Sequence, residues 1–499
     1  MRPIETLLFP ANLLAFFVLT LPLPSAVFWM RHWVPIAVLI AVVQILAEGP
    51  RWQMIPAYVL TGLLFLVWWQ STLTAGGPTG HMPTDRLAVG LGVLALVVSV
   101  VLPTILPVFR FPHPSGPYEI GTLTYHWVDA DRPEIFSANP QDRRELMVQI
   151  WYPAKESPSS SRAPYLKDAK ALAAELARLK HLPAFLFAQF KFVTTNAVSS
   201  APMADGRPDY PVLIFLEGAI GFRQMNTFQV EELVSHGYIV AALDQPYTAA
   251  AVVFPDGRQA NGLPLDKMMP LIHQSYSPAQ TAPALNGRTF EKGIVPYLAS
   301  DVIFSLNQLA TLNQADPNAI LTGRMDLRQV GIFGVSLGGI VGVEACRLEP
   351  RLRACLAMDA PVPVDTVQSG LRQPTMWITR DAETMRLERR RAGGWSESDI
   401  HEHQSTMRAG FENLHGRGYF VQVPGLFHVN LTDIPYWSPL LSWLGTTGPV
   451  DGQSAHRIIN AYTVAFFDQH LQGRPAKLLD GPARQYPEVL FETRLSSIP

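Results

Sequence analysis

The sequence predicts an α/β class for the larger part of the chain: a mostly parallel central sheet flanked by helices, preceded by an apolar helical module. Three observations carry this. An apolar strand, Val330 to Phe333, runs straight into Gly334-Val-Ser-Leu-Gly338, and a helical stretch follows from Ile340. Further short apolar runs (Val212–Leu216, Tyr238–Leu243, Leu352–Met358, Pro374–Thr379 and Phe420–Val423) alternate with helical segments, the β-α-β-α rhythm of strands buried on both faces. The first 112 residues read differently, as long apolar runs.

Those runs are Leu7–Trp29, Trp33–Ala47, Ile55–Trp69 and Leu87–Phe109, separated by Arg31-His32, Glu48-Gly-Pro-Arg51 and Gly76–Arg86. A span needs about 20 apolar residues, so four transmembrane helices are expected in residues 1–112. Trp29, Trp33, Trp52, Trp68 and Trp69 stand near the run ends, as interfacial anchors do. No run carries a charge in its middle, so the module reads as an anchor and not as a transport path. With four spans Arg2, Arg51 and Arg110 fall on one side and Arg31 and Arg86 on the other. That count places the rest of the chain in the cytoplasm, and one span fewer reverses it.

Composition narrows the function. The 499 residues are 48% hydrophobic and 16% charged, with a formal net charge of −2, which gives nucleic acid no basic surface to bind. No Cys-x-x-Cys, His-Glu-x-x-His or Walker loop is present, so neither a metal nor an organic cofactor is expected. Cys346 and Cys355 read as small buried hydrophobes, silent on the compartment.

Pro112-His-Pro-Ser-Gly-Pro117 is a linker by composition, and a globular domain is expected over 113–499. Its first strands are Ile120–Val128 and Glu145–Tyr152. A cap or lid is expected near 163–200, where Asp168 can start a helix and Phe185, Phe187, Phe190 and Phe192 follow, flanked by Arg178, Lys180 and Lys191. That aromatic stretch reads either as core packing or as a surface dipping into a membrane interface. His456–Leu471 is expected as a final packing helix, and Leu478–Pro499 as an extended tail.

The Gly-x-Ser-x-Gly turn between strand and helix lifts a serine hydroxyl clear of the sheet, because glycine at both ends allows a bend that a Cβ would obstruct. Ser336 is therefore the candidate nucleophile. Serine needs a base oriented by a carboxylate, in the chain order Ser, acid, His for this architecture. His428, in the loop after Phe420–Val423, is the candidate base. His401, His403 and His415 lie in a charged helical insertion, and two histidines two apart on a helix share no face. Spacing alone leaves the acid open among Asp359, Asp381 and Glu383 and favours Asp381 or Glu383, which follow the strand ending at Thr379. The turn after Val212–Leu216 and the residue after the serine would supply oxyanion amides, those of Ala219 and Leu337.

From about Gly116 to Gln472 the chain resembles the platelet-activating-factor acetylhydrolase family of the plasma type and similar bacterial carboxylic ester hydrolases. The likeness lies in Tyr118-Glu-Ile-Gly-Thr-Leu-Thr124, Arg144-Glu-Leu-Met-Val-Gln-Ile-Trp-Tyr-Pro153, Gly334-Val-Ser-Leu-Gly-Gly339, Ala357-Met-Asp-Ala360 and Gly425-Leu-Phe-His428. It implies an α/β-hydrolase fold, Asp359 as the acid with Asp381 as the alternate, and hydrolysis of short or oxidised acyl esters of glycerophospholipids. A general carboxylesterase fits the same motifs. The chain departs from the family at Glu217, where a histidine usually precedes the oxyanion-loop glycine; a carboxylate there would oppose the developing charge unless it pointed away or were neutralised. The expected function is thus a membrane-anchored serine ester hydrolase working through an acyl-enzyme, with an ester substrate and the bilayer as its partners. The alternatives are a membrane acyltransferase using the same acyl-enzyme, and a non-catalytic binding protein on the same fold. The motifs are silent on oligomeric state.

Overall fold

The computed structural model describes residues 2–21, 24–74, 86–156 and 161–496. Its contacts divide the chain into two units, Met1–Phe109 with Trp437–Leu440, and Arg110–Tyr436 with Leu441–Pro499.

Among the described residues of the first unit four helices are long and apolar enough to cross a membrane: Pro3–Thr20, Trp29–Glu48, Trp52–Leu73 and Arg86–Ile105. The first packs against the other three, around Ala15, Phe16, Leu19, Val34, Leu60 and Leu64. Charges gather at one end, where Arg51 grips Glu5 through two bonds of 2.7 and 2.8 Å. Outward-facing side chains are apolar, with Leu46 at 80% and Leu87 at 69% exposure. Trp437–Leu440 was not expected in this unit; it joins through a hydrogen bond from the Ser438 hydroxyl to the Ile105 carbonyl.

The second unit is built on an eleven-stranded sheet. In chain order the strands are β1 (Glu119–Pro133), β2 (Arg143–Ala154), β3 (Arg162–Pro164), β4 (Thr194–Ser199), β5 (Tyr210–Leu216), β6 (Ile239–Asp244), β7 (Met325–Val335), β8 (Leu352–Met358), β9 (Thr375–Thr379), β10 (Gly418–Gln422) and β11 (Leu490–Arg494). Their order across the sheet is β11-β10-β9-β8-β7-β5-β6-β2-β1-β4-β3. From β6 to β10 all neighbours are parallel. These central strands read as continuous apolar runs because helices cover both faces; every residue of β5, β6 and β9 is buried. The crossover helix Val295–Gln314 and the elbow helix Leu337–Leu348 pack together on the sheet.

The structure adds to one expectation and corrects two. The stretch expected as a cap near 163–200 begins and ends in the sheet: β4 pairs parallel with β1 and antiparallel with β3. Only the helix Ala169–Lys180 and the 3₁₀ segment Ala184–Phe192 lie between them. In that segment Phe190 is buried while Phe185 is 51% exposed, so its aromatic residues divide between core and surface. The expected tail instead ends in β11, antiparallel to β10, which covers an edge that would otherwise expose unpaired backbone groups. Cys346 and Cys355 are not separate thiols but a disulfide. The elbow helix runs back along the sheet, and a tight turn at Leu348–Leu352 brings its last turn over β8.

Candidate active site

Strand register assembles the site. Val335 of β7 pairs with Met358 of β8, and Met358 with Ile378 of β9, so Ser336, Asp359 and Thr379-Arg380 emerge side by side at the carboxyl ends of adjacent strands. On the other flank Gly334 pairs with Leu216, and Leu216 with Leu243, which brings Glu217-Gly218 and Asp244 alongside. β10 ends at Gln422, and His428 opens a short 3₁₀ turn beyond it.

Ser336 has φ 56° and ψ −123°, a strained conformation for a residue with a Cβ and one that the surrounding structure must enforce. A Cβ on Gly334 would meet the backbone of Gly338, and one on Gly338 would meet that of Leu216 and Glu217. These two positions therefore require glycine for the bend to close. Asp359 also has positive φ, 46°.

Asp359 is fully buried; it accepts three hydrogen bonds and forms an ion pair with Arg380. Its Oδ2 lies 2.5 Å from His428 Nδ1 and 2.9 Å from Arg380 Nε. Its Oδ1 takes the Thr379 hydroxyl at 3.0 Å and His403 Nε2 at 3.0 Å. Burial alone would raise its pKa, but the Arg380 guanidinium, His403 and His428 more than offset this and hold the carboxyl well below its ordinary range. The His428 imidazole is lowered, first by burial and further by Arg380 and His403, against the pull of Asp359. With Nδ1–H committed to Asp359, Nε2 is the free, basic nitrogen. Ser336 Oγ makes no hydrogen bond to His428 in this structure; such bonds commonly tighten only with substrate bound.

The expected oxyanion amides are placed as follows. Gly218 sits against the serine, with the position of an added Cβ 3.2 Å from Ser336 Cβ. The turn closes through Gly221 N–H to the Gly218 carbonyl at 2.9 Å and Ile220 N–H to Thr248 O at 2.7 Å, leaving the Ala219 N–H without a protein acceptor among the described residues. Leu337 opens the elbow helix, so its N–H has no intrahelical acceptor. Gly218, Ala219, Ser336, Trp395 and His428 are half-exposed, while the groups behind them are buried.

Asp381, the alternate acid, is not brought to His428. It caps the helix Ala382–Ala392, accepting from Thr384 N–H at 2.8 Å and from the Thr384 hydroxyl at 2.7 Å. Glu217 points away from the serine, its Oε1 accepting the Gln245 N–H at 3.1 Å. Burial, with Asp244 adding to it, raises its carboxyl well above the ordinary range, which favours the neutral form over a charge that would oppose an oxyanion. Glu217→Gln is accordingly expected to change ester turnover only a few-fold, whereas a charged Glu217 that weakened the oxyanion hole would make the same variant markedly faster; steady-state kinetics at neutral pH decides.

Four residues of the site were not anticipated: Thr379, Arg380, Trp395 and His403. Arg380 is buried, pairs at its far end with Glu388 and lies under the Trp395 ring, 5.1 Å from its centroid. A signal for His403 was available, since it falls in the buried stripe Ile400, His403, Met407, Phe411 of the helix Glu397–Glu412; His401, off that stripe, is exposed.

Residues 105–476 match the family described as platelet-activating factor acetylhydrolase, isoform II. A probable 1-alkyl-2-acetylglycerophosphocholine esterase of Arthroderma benhamiae is 24% identical over 81% of this chain and 99% of its own length. The platelet-activating factor acetylhydrolase of Gallus gallus is 22% identical over 73% of this chain and 84% of its own. Among solved structures, a ferulic acid esterase from Streptomyces cinnamoneus superposes with a TM-score of 0.60 at 28% identity, covering 77% of this chain and 99% of that one. The match spans most of the chain and the fold is the expected α/β-hydrolase sheet, so the chain belongs to the platelet-activating factor acetylhydrolase, isoform II, family and is a carboxylic ester hydrolase.

Proposed function

We propose that the protein is a membrane-anchored serine esterase acting on lipid-derived esters through an acyl-enzyme. The observation that carries this reading is the buried Asp359 carboxylate 2.5 Å from His428 Nδ1, beside a serine on a strained elbow. Ser336 Oγ attacks the ester carbonyl as His428 Nε2 takes its proton. The oxygen that becomes negative is held by the N–H groups of Ala219 and Leu337, each worth about 10²–10³ in rate. The C–O bond to the alcohol then breaks as His428 returns the proton to the leaving oxygen. Water, deprotonated by the same nitrogen, releases the acid and restores the serine. Asp359 keeps the proton on Nδ1 throughout and stabilises the transient imidazolium.

Anchoring is supported by the four apolar helices, whose exposed faces are leucine-rich (Leu39 at 61%, Leu63 at 55%, Leu94 at 58%); such a surface suits lipid and not water. The relatives named for a phospholipid acetyl ester favour a short-acyl glycerophospholipid, and the ferulic acid esterase favours a wider range. Hydrolysis of p-nitrophenyl esters of increasing chain length and of a short-chain phosphatidylcholine by detergent-solubilised protein tests the choice. Preference for the phospholipid, absent from Ser336→Ala, supports the lipid reading; activity confined to soluble aryl esters overturns it.

The Cys346–Cys355 disulfide supports placing the catalytic domain on an oxidising, non-cytoplasmic side, the reverse of the side reached by counting basic residues. A membrane-impermeant protease added to intact cells should then remove the catalytic domain; full protection with disrupted cells digested would return it to the cytoplasm.

A further inference from the structure

The acid of the site is held by more donors than orientation of one imidazole requires, and the surplus donors come from different elements. Thr379 ends β9 and Arg380 follows it, while His403 reaches in from the helix Glu397–Glu412. The arrangement poses a competition. Arg380 Nε and His428 Nδ1 share Oδ2 of Asp359, at 2.9 and 2.5 Å. A guanidinium is a planar fork that binds both oxygens of a carboxylate when both are free. If Oδ1 were unoccupied, the carboxylate could turn into that fork and draw Oδ2 away from His428. Oδ1 is occupied, by the Thr379 hydroxyl and His403 Nε2, both at 3.0 Å.

His403 is placed for this and for little else. It is 1% exposed on a stripe whose other members, Ile400, Met407 and Phe411, are apolar. A buried imidazole there is costly unless hydrogen-bonded, and packing alone would be met by another apolar side chain. Its Nδ1 has no hydrogen-bond partner among the described residues, so its side-chain hydrogen bonding is spent on Asp359. The Trp395 ring lies 5.3 Å from His403 and 6.0 Å from His428, close to edge-on against both, and closes this pair of imidazoles from one side.

We propose that His403 is a positioning residue: its Nε2–H holds Oδ1 of Asp359 so that Oδ2 stays on His428 and is not captured by the Arg380 fork. This rests on the Ser336, His428 and Asp359 assignment above. The test compares His403→Phe, which keeps a ring but no donor, with His403→Gln, whose amide nitrogen can replace Nε2, in the full-length protein on a p-nitrophenyl ester. The phenylalanine variant should lose about tenfold or more in kcat with KM changed by less than about twofold, and should react correspondingly slowly with a fluorophosphonate. Glutamine should recover most of both rates. Should the phenylalanine variant not fold, His403→Asn, too short to reach Asp359, is expected to show the same loss. Wild-type kcat in the phenylalanine or asparagine variant overturns the proposal, as does equal impairment of the glutamine and phenylalanine variants in step with their melting temperatures. A Ser336→Ala control separates the two levels: turnover that survives it overturns the triad assignment itself, whereas an inactive Ser336→Ala beside an unimpaired His403→Phe overturns only the role of His403.

Discussion

His428→Ala is expected to lower kcat by on the order of 10⁶-fold, the scale at which a serine hydrolase loses its base, with the protein still folded. His428 stands on a surface turn and is only half-buried, so its removal leaves no large cavity, and the loop beyond it is fixed independently. Asp433, five residues on, accepts the N–H groups of Thr227 and Phe228 at 2.9 and 3.1 Å and the Tyr165 hydroxyl at 3.0 Å. The same histidine sets the acid limb of the pH profile. The base must be neutral to act, and burial with Arg380 and His403 lowers its pKa from the ordinary value of about 6.5. kcat/KM should therefore rise with pH through a midpoint below that value and be level at neutral pH. A midpoint above it would mean that Asp359 outweighs burial, Arg380 and His403 together.

Asp359→Asn is expected to cost on the order of 10⁴-fold in kcat. Asparagine fits the space, but its amide would present N–H to His428 Nδ1 or leave Nδ1–H unpaired, and either outcome favours the wrong tautomer. It would also leave Arg380 buried with only Glu388 to balance it, so a lowered melting temperature should accompany the loss. Asp381→Asn, which touches only the start of the helix Ala382–Ala392, should leave kcat unchanged; kinetics on the two variants side by side distinguishes the acids.

The features legible in the sequence were those with a local cause. The elbow depends on glycines at Gly334 and Gly338 and on an apolar strand before them, and the parallel strands reveal themselves because burial on both faces makes them apolar throughout. Spacing left the acid open among Asp359, Asp381 and Glu383, because all three follow a strand and only register decides which one meets His428; the family resemblance favoured Asp359, and it is Asp359 whose Oδ2 lies 2.5 Å from His428 Nδ1. The support around Asp359 was not legible, since Thr379, Arg380 and His403 are joined only by the sheet and by a helix 20 or more residues away in sequence. A charged insertion concealed His403, although the spacing Ile400, His403, Met407 placed it on the buried stripe. β11 escaped notice for a related reason: an edge strand with Glu492 and Arg494 outward has little apolar signal of its own, and the partner that orders it is β10.

The most direct test of the account is the site of covalent capture. The purified protein is incubated with a fluorophosphonate ester, and the labelled peptide is identified by mass spectrometry. One label per chain, on the peptide carrying Ser336 and formed in proportion to the loss of ester hydrolysis, is the predicted result. A label on another residue, or full labelling with hydrolysis intact, would contradict Ser336 as the nucleophile and with it the mechanism built on Asp359 and His428.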